Sequence, residues 1–186
     1  MFDPSKVTKT IRAMTFAMSG NGPQGWTREY LGKVADIVRG MIADGTVIPE
    51  RVYVTGMSMG GAGTLRMLNV ANDLFAAAVP ICPSMTPETF SILKGLTHTR
   101  IWVTCAYLDH TYYRHKYIVD GIMALKDAGN RDARLTMFTP EDLEKYGLSI
   151  IEEETLEQKA GWNHACWVPT YYDEYGVMSW MMNQHK

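Results

Sequence analysis

Apolar residues along the chain occur alternately in short continuous runs and in helical spacing. The continuous runs are typical of strands buried on both faces of a sheet, and they cover residues 10–18, 51–56, 75–82, 100–106 and 133–139. Helical spacing covers residues 26–44, 59–72, 113–128 and, as one amphipathic helix, 169–184. Strands that alternate with helices predict a mostly parallel sheet covered on both faces, and therefore a three-layer α/β fold.

Composition narrows the class of protein without assigning a chemistry. The 186 residues suit a single domain, and 46% hydrophobic with 20% charged residues is typical of a globular chain. A net charge of −2 gives no indication of a nucleic-acid partner. No apolar run approaches the roughly 20 residues of a membrane span. The three cysteines are scattered, and phosphate-binding and metal-ligand spacings are absent, so we expect neither cofactor nor metal.

The charge is uneven along the chain. Residues 140–159 hold seven acidic side chains and two lysines, which predicts a separate, solvated insertion at 140–160, before the loop that carries His164. The opening stretch "MFDPSKVTKT" lacks the apolar core that would predict a signal peptide, which bears on localisation only if Met1 is the true start. Localisation stays open between secreted, periplasmic and cytoplasmic.

A serine lies at the junction between one predicted strand and the next helix. Gly56-Met57-Ser58-Met59-Gly60 fits G-x-S-x-G with a strand before it and a helix after it. Such a turn strains the serine backbone, while its glycines let strand and helix approach closely. The hydroxyl then projects at the carboxyl end of the sheet, and the Met59 N–H faces the position of an oxyanion. The pattern predicts a nucleophile at Ser58; the alternative is a glycine-rich turn with an idle serine.

A serine nucleophile needs a base, and the base needs an orienting acid. In this fold the chain order is serine, acid, histidine, each on a loop after a strand. Asp109 follows the strand at 100–106, and His164 lies between the last strand and the final helix. His110, next to Asp109, is the one serious rival to His164.

Four stretches carry a resemblance to a known superfamily: "ERVYVTGMSMGGAGTLRML", "NDLFAAAVPIC", "IWVTCAYLD" and "GWNHACW". They resemble α/β-hydrolases, in particular the esterase group related to feruloyl esterases, polyhydroxybutyrate depolymerases, phospholipase/carboxylesterases and predicted prolyl-oligopeptidase-type peptidases. The resemblance implies Ser58 as nucleophile, Asp109 as acid, His164 as base and the Met59 amide in the oxyanion hole. The chain departs from such relatives at Cys105-Ala106, where they often carry His-Gly, and in the acidic insertion.

One strand of the superfamily has no obvious counterpart. Relatives carry, upstream of the nucleophile, a strand ending in His-Gly-Gly whose loop donates the second oxyanion N–H. Here "TFAMSGNGPQGW" resembles a later strand of the relatives, the one that enters the helix before the nucleophile strand. The favoured interpretation is the carboxy-terminal part of a longer enzyme that lacks its N-terminal strands; the alternative makes "SGNG" (19–22) the oxyanion loop. A missing strand would leave an unpaired edge beside 51–56, which favours self-association.

Aromatic residues surround the predicted site. Trp162 and Trp167 flank His164, and Trp26 follows the glycine-rich segment. Each one is more often a packing residue, but together they predict a substrate-binding lining for an aromatic or acyl group.

These observations predict a serine hydrolase that cleaves carboxylic esters of small molecules or polysaccharides through an acyl-enzyme. A serine peptidase of the prolyl-oligopeptidase type uses the same triad and oxyanion and remains an alternative. A catalytically weak or silent hydrolase fragment is the other alternative, supported by the absent oxyanion strand.

Overall fold

The computed structural model describes the backbone of residues 12–14 and the whole of residues 25–109, 114–148 and 164–186. The described strands form a five-stranded sheet in chain order, and every pair is parallel. They are β1 (Arg12–Met14), β2 (Tyr53–Met57), β3 (Ala77–Ile81), β4 (Ile101–Ala106) and β5 (Ala133–Phe138). Because all strands run the same way, their carboxyl ends meet at one edge of the sheet.

Helices cover both faces of this sheet. The helices that connect successive strands share one buried core on one face, as right-handed crossovers predict, and these are α1 (Arg28–Ala43), α2 (Met59–Ala71), α3 (Pro87–Gly95) and α4 (Arg114–Asp127). Short helices from the last part of the chain cover the other face, namely α5 (Pro140–Glu144), α6 (Trp167–Tyr171) and α7 (Val177–Met182). Each face has its own buried core, with Leu31 and Leu65 in the first and Val79 and Phe138 in the second. The predicted three-layer α/β fold is confirmed.

Most predicted elements agree with the structure to within two residues where it describes them. Helix α1 begins after Thr27, whose hydroxyl accepts the N–H of Tyr30, and Gly45 follows its end with φ of 78°. Of the strand predicted at 10–18, the described part is Arg12–Met14. Helix α3 was not predicted; Thr86 and Thr89 cap its first turn reciprocally, and Pro87 occupies its first position.

The single amphipathic helix predicted at 169–184 is wrong. The chain breaks between α6 and α7, where Asp173, Tyr175 and Gly176 adopt left-handed backbone conformations. The Asp173 carboxylate accepts both the N–H and the hydroxyl of Ser179. These bonds hold the start of α7 and replace the helical bonds that are lost at the break.

The expected unpaired edge beside residues 51–56 is also wrong where the structure describes it. Strand β1 pairs with β2, with Arg12 opposite Tyr53 and Met14 opposite Thr55. The upstream segment therefore takes the place beside the serine-bearing strand, and β1 itself is the edge of the described sheet.

The acidic insertion is not fully solvated. Its first turn, α5, buries Asp142 and Leu143, which are 7% and 1% exposed. Asp142 accepts hydrogen bonds from the Tyr175 hydroxyl and from Lys145. These partners explain how a buried carboxylate is accommodated there. Residues 149–163, which include most of the rest of the insertion, lie outside the described residues.

In the part of the chain that the structure describes, no helix has both the length and the apolar character that crossing a bilayer requires.

Candidate active site

Ser58 occupies a sharp turn between β2 and α2. Its backbone has φ of 54° and ψ of −114°, a conformation that costs a non-glycine residue about 1–3 kcal/mol. Backbone bonds hold it there: the Ser58 N–H donates to the Ile81 carbonyl at 2.9 Å, and the Ser58 carbonyl accepts from Ser84 at 2.9 Å. The strain is therefore stabilised by the neighbouring strand β3 and the loop after it.

The close approach of α2 to this loop depends on Gly61. A Cβ at that position would lie 2.6 Å from the Ile81 carbonyl oxygen and 2.8 Å from the Cα of Pro83. Both neighbours are backbone atoms, so they have no rotamer with which to make room. Glycine is consequently required for α2 to begin directly after Ser58.

His164 lies between Ser58 and Asp109. Its Nε2 is 2.7 Å from the Ser58 Oγ, and its Nδ1 is 2.8 Å from the Asp109 Oδ2. An ionised carboxylate only accepts hydrogen bonds, so Nδ1 carries a proton, and when the ring is neutral Nε2 presents its lone pair to the serine hydroxyl. Thus the structure brings three of the predicted residues together, while the rival His110 lies outside the described residues.

Asp109 has no exposed surface, and it follows β4 in a turn closed by its own N–H to the Ala106 carbonyl at 3.1 Å. A buried carboxylate is stable only when charged or hydrogen-bonding partners surround it. Asp109 has two such partners, His164 on Oδ2 and Arg114 on Oδ1.

Arg114 is a site residue that the sequence interpretation missed. It begins α4, is 5% exposed, and donates from Nη1 to Asp109 Oδ1 at 2.6 Å and from Nε to the Pro83 carbonyl at 3.0 Å. A signal for it exists in the sequence: helical spacing puts residue 114 in line with Ile118, Ile122 and Leu125, on the buried face of α4. A charged residue on an apolar face requires a buried partner, and the acid lies five positions earlier.

The protonation of His164 reflects these surroundings. Burial lowers its pKa, but hydrogen bonds to Asp109 and Cys82 outweigh burial and raise the pKa to about 9. The Arg114 charge acts in the opposite direction and lowers that pKa.

The Cys82 side chain contacts His164. Cys82 directly follows β3 with φ of 33°, is fully buried, and its Sγ is 3.5 Å from the His164 carbonyl oxygen. Burial raises the pKa of its thiol, but hydrogen bonds with Cys166 and His164 outweigh burial and lower it. The cysteines are far apart in the sequence, but the fold brings the side chains of Cys82 and Cys166 into contact.

One group of side chains among the described residues has the donor types of a metal site. Single ligand atoms of Cys82, Asp109 and His164 lie within 4.8 Å of one another. However, the Arg114 Nη1 is 3.1 Å from His164 Nδ1 as well as 2.6 Å from Asp109. A guanidinium in that position repels a second cation, so the surroundings of this group do not suit a metal ion.

Met59 is the first residue of α2, so its N–H has no acceptor within the helix. An oxyanion near Ser58 Oγ would meet this amide and the positive end of the helix dipole. Strand β1 lies next to β2 and runs parallel to it, so its carboxyl end points to the same edge of the sheet as Ser58. Residues 15–24, which include the "SGNG" candidate, lie outside the described residues.

The three tryptophans predicted as substrate contacts differ in position. Trp26 is 9% exposed, donates from its indole N–H to the Met59 carbonyl at 3.0 Å, and packs on Gly63, where a Cβ would lie 2.7 Å from its ring. It supports the start of α2 and offers little surface to a substrate. Trp167 stands edge-on to the His164 ring, with centroids 6.1 Å apart. Trp162 lies outside the described residues.

Comparison with known families identifies the chain. The sequence profile of the prolyl oligopeptidase family matches residues 24–136, which is more than half of the chain and includes Ser58 and Asp109. The chain belongs to the prolyl oligopeptidase family. The superfamily resemblance noted from the sequence is thereby confirmed.

Two solved structures are similar to the chain. The crystal structure of a thermostable esterase is similar over 85% of this chain, with 26% identity and a TM-score of 0.64. A protein from Klebsiella pneumoniae assigned as a dienelactone hydrolase is 15% identical over 78% of this chain, with a TM-score of 0.49. This member of the prolyl oligopeptidase family spans 37% of the length of the first protein and 60% of the second. No curated protein matches the chain.

Proposed function

We propose that this prolyl oligopeptidase family member is a serine hydrolase that cleaves carboxylic esters, with Ser58 as nucleophile, His164 as base and Asp109 as orienting acid. The observation that carries the proposal is the pair of hydrogen bonds, 2.7 Å and 2.8 Å, that join the three side chains. The strained backbone at Ser58 supports it, because such strain is characteristic of a serine held for reaction.

In the proposed reaction, His164 Nε2 takes the proton of the Ser58 hydroxyl as Oγ attacks the ester carbonyl carbon. The Met59 N–H stabilises the oxyanion that forms. Asp109 accepts a hydrogen bond from the Nδ1–H of His164 throughout, and its negative charge stabilises the imidazolium. His164 then gives its proton to the leaving alcohol, which leaves an acyl group on Ser58. Water, deprotonated by His164, releases the acid and restores the serine.

The ester is proposed over the peptide because the similar thermostable esterase matches most of this chain. The family name favours peptide cleavage as the second candidate. Both reactions pass through the same oxyanion, so the substrates must be compared directly. We expect kcat/KM for a nitrophenyl ester to exceed that for the anilide with the same acyl group; the reverse order would favour the peptidase.

Labelling with a fluorophosphonate tests the nucleophile. We expect the 186-residue chain to react and Ser58→Ala to abolish the reaction, because the probe requires an activated serine. Ser91→Ala, on α3, is the matched control and should label like the parent. Labelling that persists in Ser58→Ala would assign the nucleophile to another residue. A parent chain that neither labels nor hydrolyses esters would favour the silent-fragment alternative.

A further inference from the structure

Arg114 joins three separate parts of the candidate active site. Its Nε donates to Pro83, in the loop after β3, and its Nη1 donates to Asp109, in the loop after β4. The same Nη1 lies 3.1 Å from His164 Nδ1, at the loop before α6. The sequence separation between Arg114 and His164 is 50 residues, so this contact comes from the tertiary fold.

The contacts divide the two oxygens of Asp109 between two partners. Arg114 takes Oδ1 and His164 takes Oδ2. A carboxylate bonded on one oxygen by a buried guanidinium resists rotation, so the other oxygen stays in line with Nδ1. The side chains of Arg114 and Asp109 are 6% and 0% exposed, so solvent weakens this pair little.

The guanidinium also acts on the imidazole directly. Among the described residues, the ionisable groups that face His164 are Asp109 and Cys82, which favour its protonated form, and Arg114, which disfavours it. Ser58 lies on the remaining side. Arg114 thus opposes the tendency of the other two groups to hold the imidazole as a cation that has no lone pair for the serine proton.

We propose that Arg114 is a positioning residue of this site, which holds Asp109 in register with His164 and keeps His164 available as a base. The inference rests on the proposed function. A purely structural role is the alternative, in which the Arg114–Asp109 pair would only join α4 to the loop after β4. That role predicts no change in the titration of His164 when Arg114 is replaced.

The test compares Arg114→Gln, which removes the charge, with Arg114→Lys, which keeps it but loses the planar fork. The matched control is Arg66→Gln, because Arg66 donates to Glu88 at 2.7 Å on the surface between α2 and α3, in an ion pair of similar length. Each variant of the 186-residue chain is assayed for ester kcat and KM from pH 5.5 to pH 10.

We expect Arg114→Gln to lower kcat by about 10²-fold with KM unchanged, since misplacing a catalytic group by about 1 Å costs that much. The midpoint of its pH profile should move to higher pH, and Arg114→Lys should restore much of that shift. Arg66→Gln should match the parent. A parent-like kcat and midpoint in Arg114→Gln, or an equal loss in Arg66→Gln, would overturn the proposal.

A second measurement separates this inference from the proposed function. The ring of His164 is titrated by NMR in the Ser58→Ala chain, with and without Arg114→Gln, or with Arg114→Lys should the glutamine variant not fold. A higher titration midpoint of His164 in the Arg114→Gln chain, or a change in Nδ1 shielding in the Arg114→Lys chain, supports the positioning role of Arg114 even if the chain hydrolyses no ester. An unchanged titration overturns it, whatever the fate of the proposed function.

Discussion

Three neighbours of His164 act on its pKa, two in one direction and one in the other. The Cys82 thiol and the Asp109 carboxylate raise the pKa of His164, and the Arg114 guanidinium lowers it. Because the base must be neutral to accept the serine proton, kcat/KM should rise as pH increases through that pKa. The rise should therefore be centred well above pH 6.5, the ordinary value for histidine, and toward pH 9.

Cys82→Ala tests the contribution of the thiol to the pKa of His164, which is opposite in sign to that of Arg114. Removing the thiol removes a group that raises the pKa of His164, so the midpoint of the kcat/KM profile should move to lower pH. Cys105→Ala is the control, since that thiol, equally buried, donates to the Ala106 carbonyl. A midpoint in Cys82→Ala at or above that of the parent would show that the thiol does not act on His164.

Helix α2 illustrates how an element positions a reactive side chain. Gly61 packs against the backbone of Ile81 and Pro83, whereas Gly40, near the end of α1, has open space where a Cβ would be. We expect Gly61→Ala to destabilise the fold by about 1–3 kcal/mol, as overpacking does. Gly40→Ala should stabilise it by about 0.5–1 kcal/mol, since it improves helix propensity at no steric cost.

Urea unfolding of both variants measures these two changes. Gly61→Ala should also weaken fluorophosphonate labelling in the fraction that remains folded, because a shift of α2 moves both the Ser58 hydroxyl and the Met59 amide. Equal stability of the two variants would contradict the close packing of α2 on the loop after β3.

Elements with a strong local signal were predictable, and elements defined by contacts across the fold were not. Ser58 follows from a local pattern, and chain order pointed to Asp109 and His164. Helix α3 was missed because its start depends on a Thr86–Thr89 capping box within a segment of weak apolar periodicity. The break before α7 was missed because apolar spacing continues through Tyr175, although its backbone is left-handed.

Pairing between distant segments was the other failure. The apolar pattern predicts a strand at 10–18 but carries no information on its neighbour, so the place of β1 beside β2 emerged only from the fold. The contact of Arg114 with His164 was missed for the same reason. The sequence therefore predicts which loops bear chemistry better than it predicts which side chains meet there.

At the scale of the whole molecule, the last residues close the end of the sheet opposite Ser58. The Tyr53 hydroxyl donates to the carbonyl of Gln184 at 2.8 Å, and Arg100 donates to that of His185 at 2.9 Å. The N–H of Lys186 donates to the Glu50 carbonyl at 3.2 Å. All three partners lie at the amino ends of strands β2 and β4, so the tail stabilises the fold without contacting the candidate active site.

Deleting residues 184–186 should therefore lower stability and leave the chemistry unchanged. Each lost bond contributes about 0.5–1.5 kcal/mol, and partial exposure reduces the sum to about 1–3 kcal/mol. The melting temperature should fall by about 2–4 °C for each kcal/mol. Calorimetry measures this, with Tyr53→Phe as the milder comparison. A loss of kcat at temperatures where the shortened chain is fully folded would contradict the separation of tail and site.

The edge-on contact between Trp167 and His164 has an optical consequence. An excited indole passes an electron readily to an adjacent imidazolium and far less readily to a neutral imidazole, so emission from Trp167 should be quenched while His164 is protonated. The brightness of the protein would then increase as pH rises through the pKa of His164, and Trp167→Phe would remove that part of the signal. Because the two rings are 6.1 Å apart at an angle of 80°, the fluorescence of Trp167 should report the protonation state of His164 in the free protein, before any substrate is added.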